Sequence, residues 1–360
     1  MNTSNSLFPQ EVTSSKATVT HSEDRGSFRK RRFRRIAPTV PFPSFWQRSP
    51  KLGNRWTRQL SRDLAFRGIY LLAKTFLFLG VERSSRWVGH IARVVARFQR
   101  RDRAVALKNL EDCLGTTTTP EERERIVSKM FENVGLAAVE TIWMSHWGEL
   151  TDYLEFEVEG IEHLEEALAR GKGVICPNGH FGNWEVMSGF VAQQGYPGYI
   201  VTRKLKDPRL DSWLNQVRSN LGIGLVRRGR MPIQLMRVLK SGGILGIMID
   251  LDTRSGHGIF VDFFGRPAYT QTGPFLLARK TGASIVPALC YREDINRLRF
   301  HFGPAWQVAE TEDEDRDIRE AAERATIYLE DRIRERPEQW TWFHKRWKTR
   351  PGIFDLRPDD

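Results

Sequence analysis

Cysteine is scarce. The 360 residues contain three, Cys113, Cys176 and Cys290, and none of them forms a C-x-x-C pair. That excludes a disulfide framework and a cysteine-rich zinc module, and it suits a reducing compartment. No stretch reaches the roughly 18 uninterrupted apolar residues that a membrane-crossing helix needs. A secretory leader is not expected, because no apolar segment follows the early positive charges. The chain also lacks an internal repeat and a G-x-S-x-G turn for an activated serine, and no second histidine stands at metal-ligand spacing. No metal or cofactor is expected.

What is present is the composition of a folded protein, 40% hydrophobic and 28% charged. The length allows one large domain or two medium ones. The net charge of +12 is unevenly spread: residues 1–60 carry +9, residues 61–110 carry +8, and the remaining 250 sum to −5. Residues 1–60 are rich in Ser, Thr and Pro around the run Phe28–Arg35, which holds six basic residues. They bury too little to offset chain entropy and read as a disordered basic tail.

Residues 61–110 form a helical segment. Leu64, Phe66, Ile69 to Leu72 and Phe76 to Leu79 surround only Arg67 and Lys74, which lie seven apart on one face. Trp87 to Phe98 continues the pattern, with Arg93 and Arg97 four apart. Such a helix can lie in a membrane interface with its cations at headgroup level. The plainer alternative is a helix packed on the rest of the protein.

Residues 111–360 read as an α/β domain, a mixed sheet covered by helices. A helix over 121–145 starts at Pro120 with Ile126, Met130, Val134 and Ala138 at helical spacing. Strands follow at 156–158, 173–176, 199–202, 225–226, 244–249, 285–289 and 298–300. Helices alternate with them at 162–170, 187–194, 210–221, 233–239 and 275–281. A last helix, 315–336, carries Ile318, Ala322, Ala325, Leu329 and Ile333 on one stripe and stops before Pro337.

The most informative stretch is Gly173 to Glu185, GVICPNGHFGNWE. A buried strand runs into Pro-Asn-Gly, and His180 stands just beyond its end, where open α/β sheets place ligand-binding groups. Glu185 follows near the start of the next helix. A carboxylate that pairs with the imidazole would fix its tautomer and leave the other nitrogen to accept a proton from a substrate hydroxyl. Glu185 can equally complement a helix N-terminus, with His180 an ordinary loop histidine. Cys176 offers a rival Cys–His reading, but a thiol inside a buried strand is inert.

His180-Phe181-Gly182-Asn183-Trp184-Glu185 resembles the His-x4-Glu motif of the bacterial lipid A biosynthesis acyltransferases, within the wider lysophospholipid acyltransferase superfamily. Gly243–Asp250 and Val261–Ala268 are similar to the family's strand–Asp and FFG-x-P block, and Gly273–Pro287 to its next helix and strand. Pro337–Pro351 resembles its C-terminal signature. The likeness covers residues 60–351 and leaves out the tail. It implies transfer of a fatty acyl chain from acyl carrier protein to a hydroxyl of a membrane glycolipid, a lipid A precursor, at the cytoplasmic face of the inner membrane. It also implies His180 as general base and Glu185 as its orienting partner. Arg218 and Asp250 fall where the family places supporting residues, with Arg203 the competing arginine and Asn183 inside the motif itself.

A scaffold salt bridge is the alternative role for Arg218 and Asp250. Lys204, Arg227, Arg228 and Arg254 can meet phosphates or an acidic carrier. Other acceptors with the same chemistry are a phosphatidylinositol mannoside, an ornithine lipid or a lysophospholipid. A non-enzymatic basic membrane- or nucleic-acid-binding protein is the third reading. Trp340, Trp342, Phe343 and Trp347 among Lys345, Arg346, Lys348 and Arg350 suit stacking on bases, a membrane aromatic belt, or packing on the domain. The acidic balance of residues 111–360 argues against nucleic acid.

Overall fold

The computed structural model describes residues 39–43, 56–227, 231–253 and 258–352. The Phe28–Arg35 cluster, Arg228, Arg254 and most of the expected tail lie outside the described residues.

Helices come first: α1 (Trp56–Leu79), α2 (Val81–Phe98), α3 (Arg100–Leu114), α4 (Pro120–Trp143) and the short α5 (Trp147–Tyr153). The start of α4 is chemically specified. Thr119 and Glu122 form a reciprocal capping box, and Pro120 takes the first helical position, where its missing N–H costs nothing. Helix α3 begins inside the helical segment expected over 61–110 and runs past its end to Leu114; only Ala106, Leu110 and Leu114 are buried, a narrow stripe in a heavily charged segment.

The alternating part contains β1 (Glu155–Glu159), α6 (Ile161–Ala169), β2 (Val174–Asn178), α7 (Trp184–Gln193), β3 (Gly198–Thr202), α8 (Pro208–Asn220), β4 (Gly224–Arg227), α9 (Met231–Lys240) and β5 (Ile244–Met248). A hairpin of β6 (Gly258–Asp262) and β7 (Pro267–Gln271) follows, then α10 (Gly273–Thr281), β8 (Ser284–Ile285), β9 (Ala288–Asp294), β10 (Arg297–Phe302) and α11 (Glu314–Glu335). The fold is mixed α/β, as expected. Five parallel strands run in the order β4-β3-β5-β2-β8, and a second sheet runs β1-β10-β9. The strand expected over 285–289 is in fact two strands in two sheets. Pro287, which has no N–H to give a ladder, marks the break.

Strands β2 and β5 are almost wholly apolar because a parallel sheet is covered on both faces. Along β2, Ile175 joins one core cluster with Leu239, Phe275 and Leu329, while Val174 and Cys176 join another with Phe190, Val217 and Trp143. The two clusters are the two faces of the sheet. Helices α1 and α2 pack against α4 through Phe76, Ala73 and Val88. Their outer surfaces stay apolar: Phe78, Trp87 and Phe98 are 89%, 61% and 80% exposed. Among the described residues no helix is long and apolar enough to cross a membrane.

Candidate active site

Parallel pairing of β2 with β5 sets Asn178 opposite Met248. Two residues further along each strand stand His180 and Asp250, so the register itself brings them together at the carboxyl edge of the sheet. Asp250 accepts three hydrogen bonds: from the His180 backbone N–H at 2.7 Å, from His180 Nδ1 at 2.9 Å, and from Trp340 Nε1 at 2.8 Å. Its side chain is fully buried. Burial works to raise the Asp250 carboxyl, but the charge and hydrogen bonds of His180 outweigh it and hold the pKa well below the usual range. Burial likewise works to lower His180, while the charge and hydrogen bond of Asp250 and the charge of Glu185 outweigh it and raise its pKa above 6.5. With Nδ1 engaged, Nε2 is the nitrogen left for a ligand, and 19% of the His180 side chain is exposed.

The expectation that Glu185 orients His180 is corrected here. Glu185 is the second residue of α7, and both its oxygens are taken by Arg218 of α8: Nε lies 3.0 Å from Oε2, and Nη2 bonds Oε1. The carboxylate on Nδ1 is that of Asp250. Asn183 also departs from expectation. It faces inward as the N-cap of α7, accepting from Val186 N–H and donating to the buried Glu140. Arg203 stands exposed one residue beyond β3, so Arg218 is the arginine that joins the motif.

The C-terminal segment closes over this edge. Phe181 bridges Trp340, and Thr341 N–H donates to the His180 carbonyl. Trp340 and Trp342 are completely buried, which removes them from base stacking or a membrane belt. Buried Arg346 donates to the Tyr269 carbonyl at 2.7 Å and to Thr270 Oγ1. Two neighbours of His180 were missed in the sequence: Trp340, as an Asp250 ligand, and His344, whose ring centroid lies 4.7 Å away. Burial first, and then the charge of His180, push His344 down to about pKa 4, so it is neutral near pH 7. Trp184 packs edge-on against His180 at 4.9 Å. The cysteines offer no nucleophile, since burial raises the Cys176 and Cys290 thiols to about 12. Among the described residues no group of three His, Cys, Asp or Glu side chains is placed to hold a metal.

The arrangement can polarise and deprotonate a hydroxyl at Nε2, with Asp250 holding the proton on Nδ1. Residues 55–349 match the profile of the family described as bacterial lipid A biosynthesis acyltransferase. A lipid A biosynthesis palmitoleoyltransferase of Escherichia coli (strain K12) is 29% identical over 257 residues, covering 71% of this chain and 81% of its own length. A lipid A biosynthesis lauroyltransferase of the same organism is 29% identical over 269 residues, covering 72% and 84%. A phosphatidylinositol mannoside acyltransferase of Mycobacterium tuberculosis is 31% identical over 150 residues, covering 40% of this chain and 47% of its own.

Proposed function

Because the chain belongs to the bacterial lipid A biosynthesis acyltransferase family and is an acyl-transferring enzyme, we propose that it moves a fatty acyl chain from an acyl carrier protein thioester to a hydroxyl of a lipid A precursor. The observation that carries the mechanism is the His180–Asp250 pair, with Nδ1 bound and part of the imidazole still exposed. His180 Nε2 takes the hydroxyl proton as the oxygen attacks the thioester carbonyl. The C–O bond forms, the C–S bond breaks, and the imidazolium returns its proton to the leaving thiolate. Asp250 stabilises the imidazolium and keeps Nδ1 protonated. Glu185 and Arg218 form the neighbouring wall, and Glu185 adds its charge to the field at His180.

Helices α1 and α2 are the membrane-docking segment in this reading. The apolar stripe Trp87, Ile91, Val94, Val95 and Phe98 is exposed beside Arg86, Arg93 and Arg97, the arrangement that suits an anionic bilayer surface. This supports action at the cytoplasmic face of the inner membrane. The deciding experiment supplies radiolabelled acyl carrier protein thioesters with immature lipid A, lysophospholipid, phosphatidylinositol mannoside and ornithine lipid. His180→Ala serves as the blank. Transfer to immature lipid A that disappears in the variant supports the proposal. Transfer only to another acceptor changes the substrate, and no transfer by folded protein overturns the reaction.

A further inference from the structure

Buried against the loop 180–185 lies a second ion pair that the mechanism above does not use. Glu140 of α4 is completely buried, and its Oε2 accepts from Arg292 Nη2 of β9 at 2.6 Å and from Asn183 Nδ2 at 2.6 Å. The other end of the Asn183 amide, Oδ1, accepts from Val186 N–H at 3.1 Å and so caps α7. A primary amide donates at one end and accepts at the other. Holding the NH2 end against a carboxylate therefore forces the oxygen toward the helix. Arg292 is anchored in turn. Its backbone N–H and carbonyl pair with the Gln339 side chain, both at 2.7 Å, and the Gln339 carbonyl accepts from Gly182 N–H at 2.9 Å.

We propose that the Glu140–Arg292 pair is a positioning device for the loop 180–185: through the Asn183 amide it fixes where α7 begins, and so where Glu185 stands relative to His180. His180 lies three residues before Asn183 and Glu185 two after it, while helix α4 and strand β9 supply the fixed points. The proposal rests on the acyltransferase reading only for its kinetic arm. Glu140, Arg292 and Asn183 are positioning residues, since none of them is placed to touch substrate.

The charged and titratable groups around His180 are Asp250 after β5, Glu185 on α7 with its partner Arg218 on α8, and His344 of the C-terminal segment. If α7 shifts, Asp250 stays with His180 and only the contribution of Glu185 is withdrawn. The test uses the full chain and the variants Asn183→Ser and Glu140→Gln. Serine keeps an N-cap acceptor but cannot reach Glu140. Expected are a kcat lower by about 10- to 100-fold, as for small misplacements of reacting groups, and KM values close to wild type. A readout independent of turnover is the pH dependence of His180 carbethoxylation by diethylpyrocarbonate, followed by peptide mass spectrometry. Its midpoint moves to lower pH in both variants, because an opposite charge has left the imidazole.

Wild-type kcat and a wild-type midpoint in folded Asn183→Ser overturn the proposal, since the cap alone would then suffice. If Glu140→Gln does not fold, Asn183→Ser decides by itself. If wild-type protein transfers no acyl group, the acyltransferase reading fails, and the carbethoxylation midpoint still decides the positioning role.

Discussion

Replacing Asp250 by asparagine probes the site most directly, because size is conserved while charge and one acceptor are lost. The asparagine oxygen can keep the two donors that now meet Oδ2, the His180 backbone N–H and Trp340 Nε1. Its NH2 group then faces His180 Nδ1, where Oδ1 accepts at 2.9 Å in the native site. A donor at that place leaves Nδ1 unprotonated and moves the proton to Nε2, the nitrogen that must accept one. Loss of the working tautomer in this kind of arrangement costs about 10⁴-fold in kcat, or about 5.5 kcal/mol of transition-state stabilisation.

The pH profile adds an independent sign. In the native protein His180 is raised above 6.5, so the acid limb of kcat/KM lies above 6.5. Without Asp250, burial is opposed only by the charge of Glu185, and the limb moves down. The stability linked to the pair follows the same signs. The His180 part is full below 6.5 and is lost as pH rises through the raised folded value. The Asp250 part is present above 3.8 and is lost as pH falls toward the depressed folded value. The variant therefore loses most stability between these limits and less near pH 9, as thermal unfolding across pH would read. Single-turnover transfer kinetics from pH 5 to 9 supply the activity side. A kcat within about tenfold of wild type, or an unmoved acid limb, refutes the reasoning.

Glu185→Gln leaves the mostly buried Arg218 charge without its match, and Arg218→Lys keeps the charge but loses the two-bond fork between α7 and α8. Each is expected to lower kcat by about 10- to 100-fold, measured beside thermal unfolding to establish folding. Cys176→Ala keeps most of the wild-type kcat, because a thiol raised to about 12 forms no acyl-enzyme. An acylated Cys176 in quenched, digested enzyme would count against that. Gly182→Ala destabilises by more than about 2 kcal/mol, read from denaturant midpoints. Its φ is +58°, and an added Cβ would stand 1.7 Å from the Cys290 carbonyl oxygen.

Much of the architecture was legible in local pattern. Buried runs such as Val174–Cys176 and Ile244–Ile249, with amphipathic stretches between them, mark the strands and covering helices of the alternating region. The β6–β7 hairpin was not legible as strands. Its turn places Phe264 at φ 59°, and that non-glycine conformation is held by packing of Phe264 on Trp342, a contact 78 positions away. Helix α5 was missed because it buries only Trp147 and Leu150 against neighbours set by the fold.

For the site, the sequence by itself determined the local part: a buried strand that runs into Pro-Asn-Gly, a histidine just beyond it, and a carboxylate at the start of the next helix. These follow from hydrophobic run length, turn chemistry and capping, which act over a few residues. Which carboxylate meets the histidine was decided by tertiary structure. Glu185 is five residues from His180 and Asp250 is seventy, yet the β2–β5 register puts Asp250 on Nδ1, while α8 draws Glu185 to Arg218. Trp340 and His344 arrive from farther still, carried by a C-terminal segment whose buried indoles need the apolar core beneath them. Pairing of polar groups in a dry interior depends on which strands lie side by side, and spacing along one chain does not encode that.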